Sequence, residues 1–232
     1  MSGEPSQTAL SAPASLVTDE RPTGVRRRIK AMRPGEILDA AFEEFVSNGY
    51  AATRLDDVAR RVGLTKGALY LYFPSKVELF KAVVRGCVQP IFAEVEQILA
   101  TFEGSAADFL RALIDAAYNN VIENRRDREI VRLLMAEGAK HPELTEFYYA
   151  EVIVSCLRVL DRVIARGLDT GEFRRSAITD MPLILMSPCV HASNWQLLFG
   201  AAHPLDLDKL KHAHLEVLLT MLLRDPPGAS TA

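Results

Sequence analysis

Twelve basic side chains lie between Arg26 and Arg85: Arg26, Arg27, Arg28, Lys30, Arg33, Arg54, Arg60, Arg61, Lys66, Lys76, Lys81 and Arg85. Seven acids oppose them, so this segment carries about five positive charges; the whole chain has a formal net charge of −3, leaving the remainder at about −8. A basic module joined to an acidic body is the electrostatic footprint of a polyanion binder, even when the total is slightly negative. Arg26, Arg27 and Arg28, with Lys30 and Arg33, precede the first periodic apolar segment. Their position suits an arm reaching phosphates or the minor groove; a solubilising charge run is the alternative.

Other chemistries have little support. The chain holds no nucleophile elbow, Gly-rich phosphate loop, HExxH pair or EF-hand loop, so catalysis is not expected. Cys87, Cys156 and Cys189 are odd in number and widely spaced, which fits a reducing cytoplasm and offers neither a disulfide framework nor a zinc motif. His141, His191, His203, His212 and His214 have no ligating spacing, and no metal or cofactor is expected. Glu4 stands where a signal peptide would be basic, and Met181–Phe199 is interrupted by Ser187, Pro188, His191, Asn194 and Gln196, against a membrane span.

The elements that would position the basic residues read as helices throughout, which predicts an all-α fold. Residues 1–25, rich in Ser, Ala, Pro and Thr, and residues 226–232 read as disordered tails. A first helix starts near Pro34, carries Ile37, Leu38, Ala41, Phe42, Phe45 and Val46 on one stripe, and stops at Asn48-Gly49. Thr53 reads as the N-cap of a short second helix, with Asp56 completing a capping box and Leu55, Val58, Ala59 and Val62 buried. Gly63-Leu64 forms a tight turn, and Thr65 caps a third short helix from Lys66 to Tyr72, ended by Phe73-Pro74. Leu71 and Phe73 read as core. Ser75 and Glu78 launch a longer helix in which Pro90 predicts a kink or break. Two short amphipathic helices joined by a Gly-containing turn on a three-helix core is the helix-turn-helix pattern; an ordinary helical hairpin is the alternative.

The run from Thr53 to Lys76, above all Gly63 through Lys76 with its Tyr-x-Tyr-Phe-Pro-Ser-Lys ending, resembles the tetracycline-repressor (TetR) family. Ile37 to Tyr50 matches as well, and the resemblance spans roughly residues 33–85. It implies a homodimer of all-α subunits on a palindromic operator, with a small effector bound in the larger domain. By that similarity the third helix enters the major groove, with Thr65, Lys66 and Gly67 at its N-terminal end and Leu69 and Tyr70 a turn further on. A helix N-terminus independently offers amides and partial positive charge to phosphate. Thr53, Tyr72 and Lys76 suit contacts that position a protein on the phosphate backbone.

The organisation expected is a helix-turn-helix domain over 26–85 and a helical effector-binding and dimerisation domain over 86–225. Met181–Phe199 is apolar nearly all round, so one subunit alone would struggle to cover it; a partner packing the last two helices of each chain would do so. Tyr118, Asn119, Met135, Tyr148, Ser155, His191, Asn194 and Trp195 each place a polar or polarisable tip beside an apolar stripe, and are the candidate ligand residues. No inward cluster of Arg or Lys is evident there, which favours a neutral or hydrophobic ligand. The reading is a repressor released when ligand swings the helix after Ser75; an architectural DNA-binding protein without an effector is the alternative, and a helical enzyme a remote one.

Overall fold

The computed structural model describes residues 34–119 and 124–224. The expected arm at Arg26–Arg28, Lys30 and Arg33 and both expected tails lie outside these residues. Helix α1 spans Pro34–Ala52, α2 Leu55–Arg61, α3 Lys66–Tyr72 and α4 Lys76–Thr101. They are followed by α5 Ala106–Ala117, α6 Arg125–Glu137 and α7 Pro142–Tyr148. A π-helical turn, Tyr149–Ile153, joins α7 directly to α8, Val154–Asp169. A short α9, Ala177–Asp180, and a 3₁₀ segment, Pro182–Met186, lead into α10 Ser187–Phe199 and then α11 Leu207–Leu222. Among the described residues the extended pairing is a single bridge between Phe173 and Leu223.

Local chemistry sets most of the helix starts. Thr65, Ser75, Ser105 and Asp206 each accept a hydrogen bond from the backbone N–H three residues on, satisfying an amide that the helix itself cannot. Gly63 turns α2 into α3 with φ +69°, a conformation that a β-carbon disfavours. Gly49 does the same inside α1 with φ +75°, so the expected stop is present as a sharp local break, and helical hydrogen bonding resumes through Ala52.

The break expected at Pro90 is absent, and so is a single helix over Met181–Phe199. Pro90 does not interrupt α4, which runs on to Thr101. The carbonyl deprived of a partner, and most exposed to the proline ring, belongs to Gly86 one turn earlier. Conversely, the apolar Met181–Phe199 stretch is not one helix: Pro182 and Pro188 stand at the starts of separate 3₁₀ and α segments.

The N-terminal core gathers Phe42, Phe45, Tyr50, Leu69, Leu79 and Phe80, all buried. Phe45 and Tyr50 stack at 5.8 Å, and each meets the Phe80 ring edge-on, at 5.4 and 5.6 Å. A second core is built from Phe109, Leu110, Ile114, Leu160, Val163, Phe173, Leu185 and Leu222. Gly167 is required there, because a β-carbon on it would lie 2.0 Å from the Phe173 ring. The described residues from Pro34 onward form one compact unit, and α4 contributes to it without a break at residue 85.

Charged groups stitch α1 to α6. Arg126 bonds Asp39, Arg125 bonds Glu43 at 3.2 Å, and Arg132 donates to the Val46 carbonyl at 3.1 Å. Glu137 accepts from the Ala51 amide at 3.3 Å, beside the bare face of Gly49.

Candidate nucleic-acid interface and ligand cleft

Leu55, Val58 and Ala59 of α2, with Ala68 and Leu69 of α3, turn inward and lock the two helices to the core. What α3 leaves outside is Thr65, Lys66, Gly67, Tyr70, Leu71 and Tyr72. Lys66 is held by Asp56 at 2.9 Å, which raises its ammonium pKa above the ordinary lysine value, and it lies 5.7 Å from the Tyr70 ring centroid. A β-carbon on Gly67 would meet nothing within 4 Å, so no neighbour in the chain demands glycine there. The row therefore offers a cation, a hydroxyl at the helix start, two phenols and an open backbone patch, the mixture that a groove-reading helix uses.

Four residues are placed differently from expectation. Thr53 is 2% exposed and donates its hydroxyl toward the carbonyls of Gly49 (2.7 Å) and Glu44 (3.0 Å); Arg54, not Thr53, is the N-cap of α2, so Thr53 pins α1 and has no phosphate-facing role. Lys76 donates to the carbonyls of Tyr50 (2.7 Å) and Ala51 (2.8 Å) with its ammonium over the Tyr50 ring. It caps the end of α1, where cations meet the negative helix terminus, and burial lowers its pKa. Leu69 is fully buried and cannot touch a groove, whereas Leu71, expected in the core, is 85% exposed. The helix phase decides this pair: two residues apart on α3, they lie on different sides. Sequence reasoning missed Leu71 and the exposed Arg54 as surface groups of this module. The basic excess of the segment was the signal for Arg54.

The candidate ligand residues do not converge. Tyr118 is buried with its hydroxyl 3.4 Å from His214 Nδ1, and Tyr148 is half-buried with its phenol pushed up to about 12 by desolvation. Asn119 and His191 are exposed, and Met135 is 61% exposed, so none of these lines an interior wall. Trp195 donates to the His203 carbonyl at 2.7 Å, and Asn194 keeps a buried Oδ1 without a partner. Of these candidates only Ser155 borders a cleft of about 470 Å³ between α4 and the π turn with α8. Arg85, Val88, Gln89, Phe92 and Glu96 line it from α4; Ala150, Glu151, Ser155, Arg158 and Val159 line it from the facing side. Arg85 and Glu151 close one end with a two-pronged pair, Nε to Oε2 at 2.7 Å and Nη2 to Oε1. Two arginines thus border the cleft, which the apolar stripes of the sequence did not reveal. A signal existed: residues 85, 89, 92 and 96 share one helical face, as do 151, 155, 158 and 159.

Among the described residues no cluster of three or more metal-ligating side chains occurs, and no helix is long and apolar enough to cross a membrane.

The N-terminal helices define a helix-turn-helix module, and residues 37–83 match the family described as bacterial regulatory proteins, tetR family. That match covers the helix-turn-helix module and the first turns of α4. The chain is 37% identical over 105 residues to the HTH-type transcriptional activator FasR of Mycolicibacterium smegmatis, an alignment covering 44% of this chain and 48% of FasR. It therefore spans about half the length of that relative. It is 25% identical over 192 residues to the HTH-type transcriptional repressor KstR2 of the same species, covering 82% of this chain and 90% of KstR2. Among solved structures, the SmeT–triclosan complex superposes with a TM-score of 0.70 at 25% identity, covering 84% of this chain and 95% of that one. These relatives are named as regulators, not as enzymes.

Proposed function

We propose that the chain is a ligand-responsive transcriptional repressor that binds a palindromic operator as a homodimer. The observation that carries this is the solvent-facing row of α3, with Thr65, Lys66, Gly67, Tyr70 and Tyr72 exposed on a helix whose other side is locked by Ala68 and Leu69. Thr65, Lys66, Gly67 and Tyr70 face the major groove, and Tyr72 and Arg54 meet phosphates. The run Arg26–Arg28, next in sequence to α1, reaches the flanking backbone or minor groove. Repression rather than activation is supported by KstR2, a relative aligned over 82% of this chain that is named a repressor.

Dimerisation is assigned to α10 and α11. Val190, Leu198, Phe199, Val217 and Met221 are large apolar side chains left exposed on these helices, and Leu198 is 74% exposed. Apolar surface of this extent marks a partner face. The working division is a DNA-reading part up to about residue 85 and an effector part beyond it, with α4 common to both. The protein works in the cytoplasm, where its operator is.

The test is an anisotropy titration with the protein's own upstream intergenic duplex beside a random duplex of equal length. Preference of about a thousand-fold or more at physiological salt is expected of a specific regulator. Equal affinity for both duplexes with a steep salt dependence would instead mark an architectural DNA-binding protein.

A further inference from the structure

The cleft between α4 and the π turn has a charge imbalance. Glu96 is taken by Arg162 at 2.8 Å, and Glu151 is taken by Arg85. Arg158 borders the same space and has no carboxylate partner among the described residues. Val88 and Phe92 supply an apolar wall along α4. A space of about 470 Å³ with a hydrocarbon side and a surplus guanidinium is complementary to a medium-sized organic anion.

The cleft also holds the fastening between α4 and the following helices. Arg85 is bonded twice to Glu151, and its guanidinium lies 4.9 Å from the ring of Phe147, which is buried on α7. Lys81, one turn earlier on α4, lies 5.6 Å from the same ring. The next residues toward the N-terminus of α4, Leu79 and Phe80, are fully buried in the core of the DNA-reading helices. A change of partner at Arg85 therefore acts on the helix that carries the DNA-reading part.

We infer that this cleft is the effector site, that it takes an amphipathic anion, and that the anion's head group replaces Glu151 on Arg85 with Arg158 as its second cation. The exchange substitutes one carboxylate-like partner for another, so the guanidinium is never left bare; what changes is that α4 loses its tie to the π turn. The effect on DNA rests on the regulator reading above, whereas binding in the cleft does not.

The experiment uses the full chain and three twelve-carbon probes, titrated calorimetrically: dodecanoate and dodecyltrimethylammonium below their micellar concentrations, and dodecanol below its solubility limit. Dodecanoate is expected to bind about ten-fold or more tightly than either of the others. Arg158→Gln should remove most of that margin while leaving dodecanol unchanged, and Ser155→Glu, which places a carboxylate in the wall, should exclude dodecanoate. Both residues lie away from the buried core, and circular dichroism checks that the variants fold. Equal binding of dodecanoate and dodecanol, or dodecanoate binding unaffected by both variants, would overturn the assignment. Glu151→Gln tests the exchange: without any probe it should weaken operator binding in the direction that dodecanoate does. Operator binding unchanged in Glu151→Gln while dodecanoate still releases DNA would show that displacement of Glu151 is not the device. If the wild-type chain prefers no DNA yet dodecanoate keeps its charge-dependent margin, the regulator reading fails and the anion site stands.

Discussion

Hydroxyls and ammonium groups near a DNA-reading helix divide into those that face outward and those that hold the scaffold. Thr53 and Lys76 are of the second kind, each bonded to carbonyls at the end of α1. Thr53→Val keeps the shape but removes a buried hydroxyl donor from those carbonyls, and should lower stability by about 1 kcal/mol in urea unfolding. Were the hydroxyl a phosphate ligand, the same substitution would leave the urea midpoint unchanged and weaken DNA binding. Asp127 is the reverse case, a charge that the fold tolerates at a cost. Both of its carboxylate oxygens are buried without partners, and desolvation pushes its pKa from 3.8 up to about 6, with Arg126 and Arg128 pulling the other way. The folded state thus holds the proton more tightly than the unfolded chain. Stability from this group rises as pH falls from about 6 toward 4 and is lost above 6. Asp127→Asn should therefore stabilise the protein at pH 7.5, on the order of 1–2 kcal/mol after allowing for residual solvent contact, with the difference fading near pH 4. Urea unfolding of both proteins at the two pH values measures it; a constant difference would mean that the amide acts by packing.

At the scale of the helices, what could be read ahead of the structure was what local chemistry decides. Thr65 and Ser75 cap their helices as their spacing predicts, because a hydroxyl three residues before a free amide is a self-contained arrangement. Thr53 misled for the same reason: a threonine before a helix looks alike whether its hydroxyl turns forward to an amide or back to a carbonyl. Leu69 and Leu71 were interchanged because a seven-residue helix offers too few turns to set its phase from the pattern alone. The cleft was hidden because its two walls come from α4 and from α8 with the π turn, some sixty residues apart, and facing is a tertiary fact. The tight glycines carry their own tests. Gly49 combines φ +75° with a β-carbon position 2.7 Å from Glu137 Oε1, the acceptor of the Ala51 amide. Gly49→Ala should cost about 1–3 kcal/mol in thermal or urea unfolding through the disfavoured backbone conformation and the displaced carboxylate. Gly67→Ala, open to solvent on α3, should leave stability equal or slightly higher and weaken only DNA binding.

For the whole molecule, the acidic, apolar body and the basic reading head follow a division visible in the charge distribution. The face proposed above for a partner is not one continuous helix, since Pro182 and Pro188 divide the apolar stretch that leads into it. Leu198→Glu together with Val217→Glu should convert a dimer into a monomer by light scattering and reduce operator affinity by more than about ten-fold, because two half-sites are then no longer read by one body. A double variant that stays dimeric would move the partner face elsewhere on the molecule.

The π turn at Tyr149–Ile153 has a further consequence, for chain length. Such a turn stores one surplus residue inside an otherwise α-helical rod and keeps the rod nearly in phase on either side. Removing Ala150 should let the segment anneal into plain α-helix, leaving Val159, Leu160, Val163 and Ile164 pointing into the core as before. Glu151, inside the annealed stretch, would be turned away from Arg85. One codon fewer would thus leave the fold intact and uncouple its fastening, which makes this segment a place where descendants of the chain can differ in length and in control without differing in architecture.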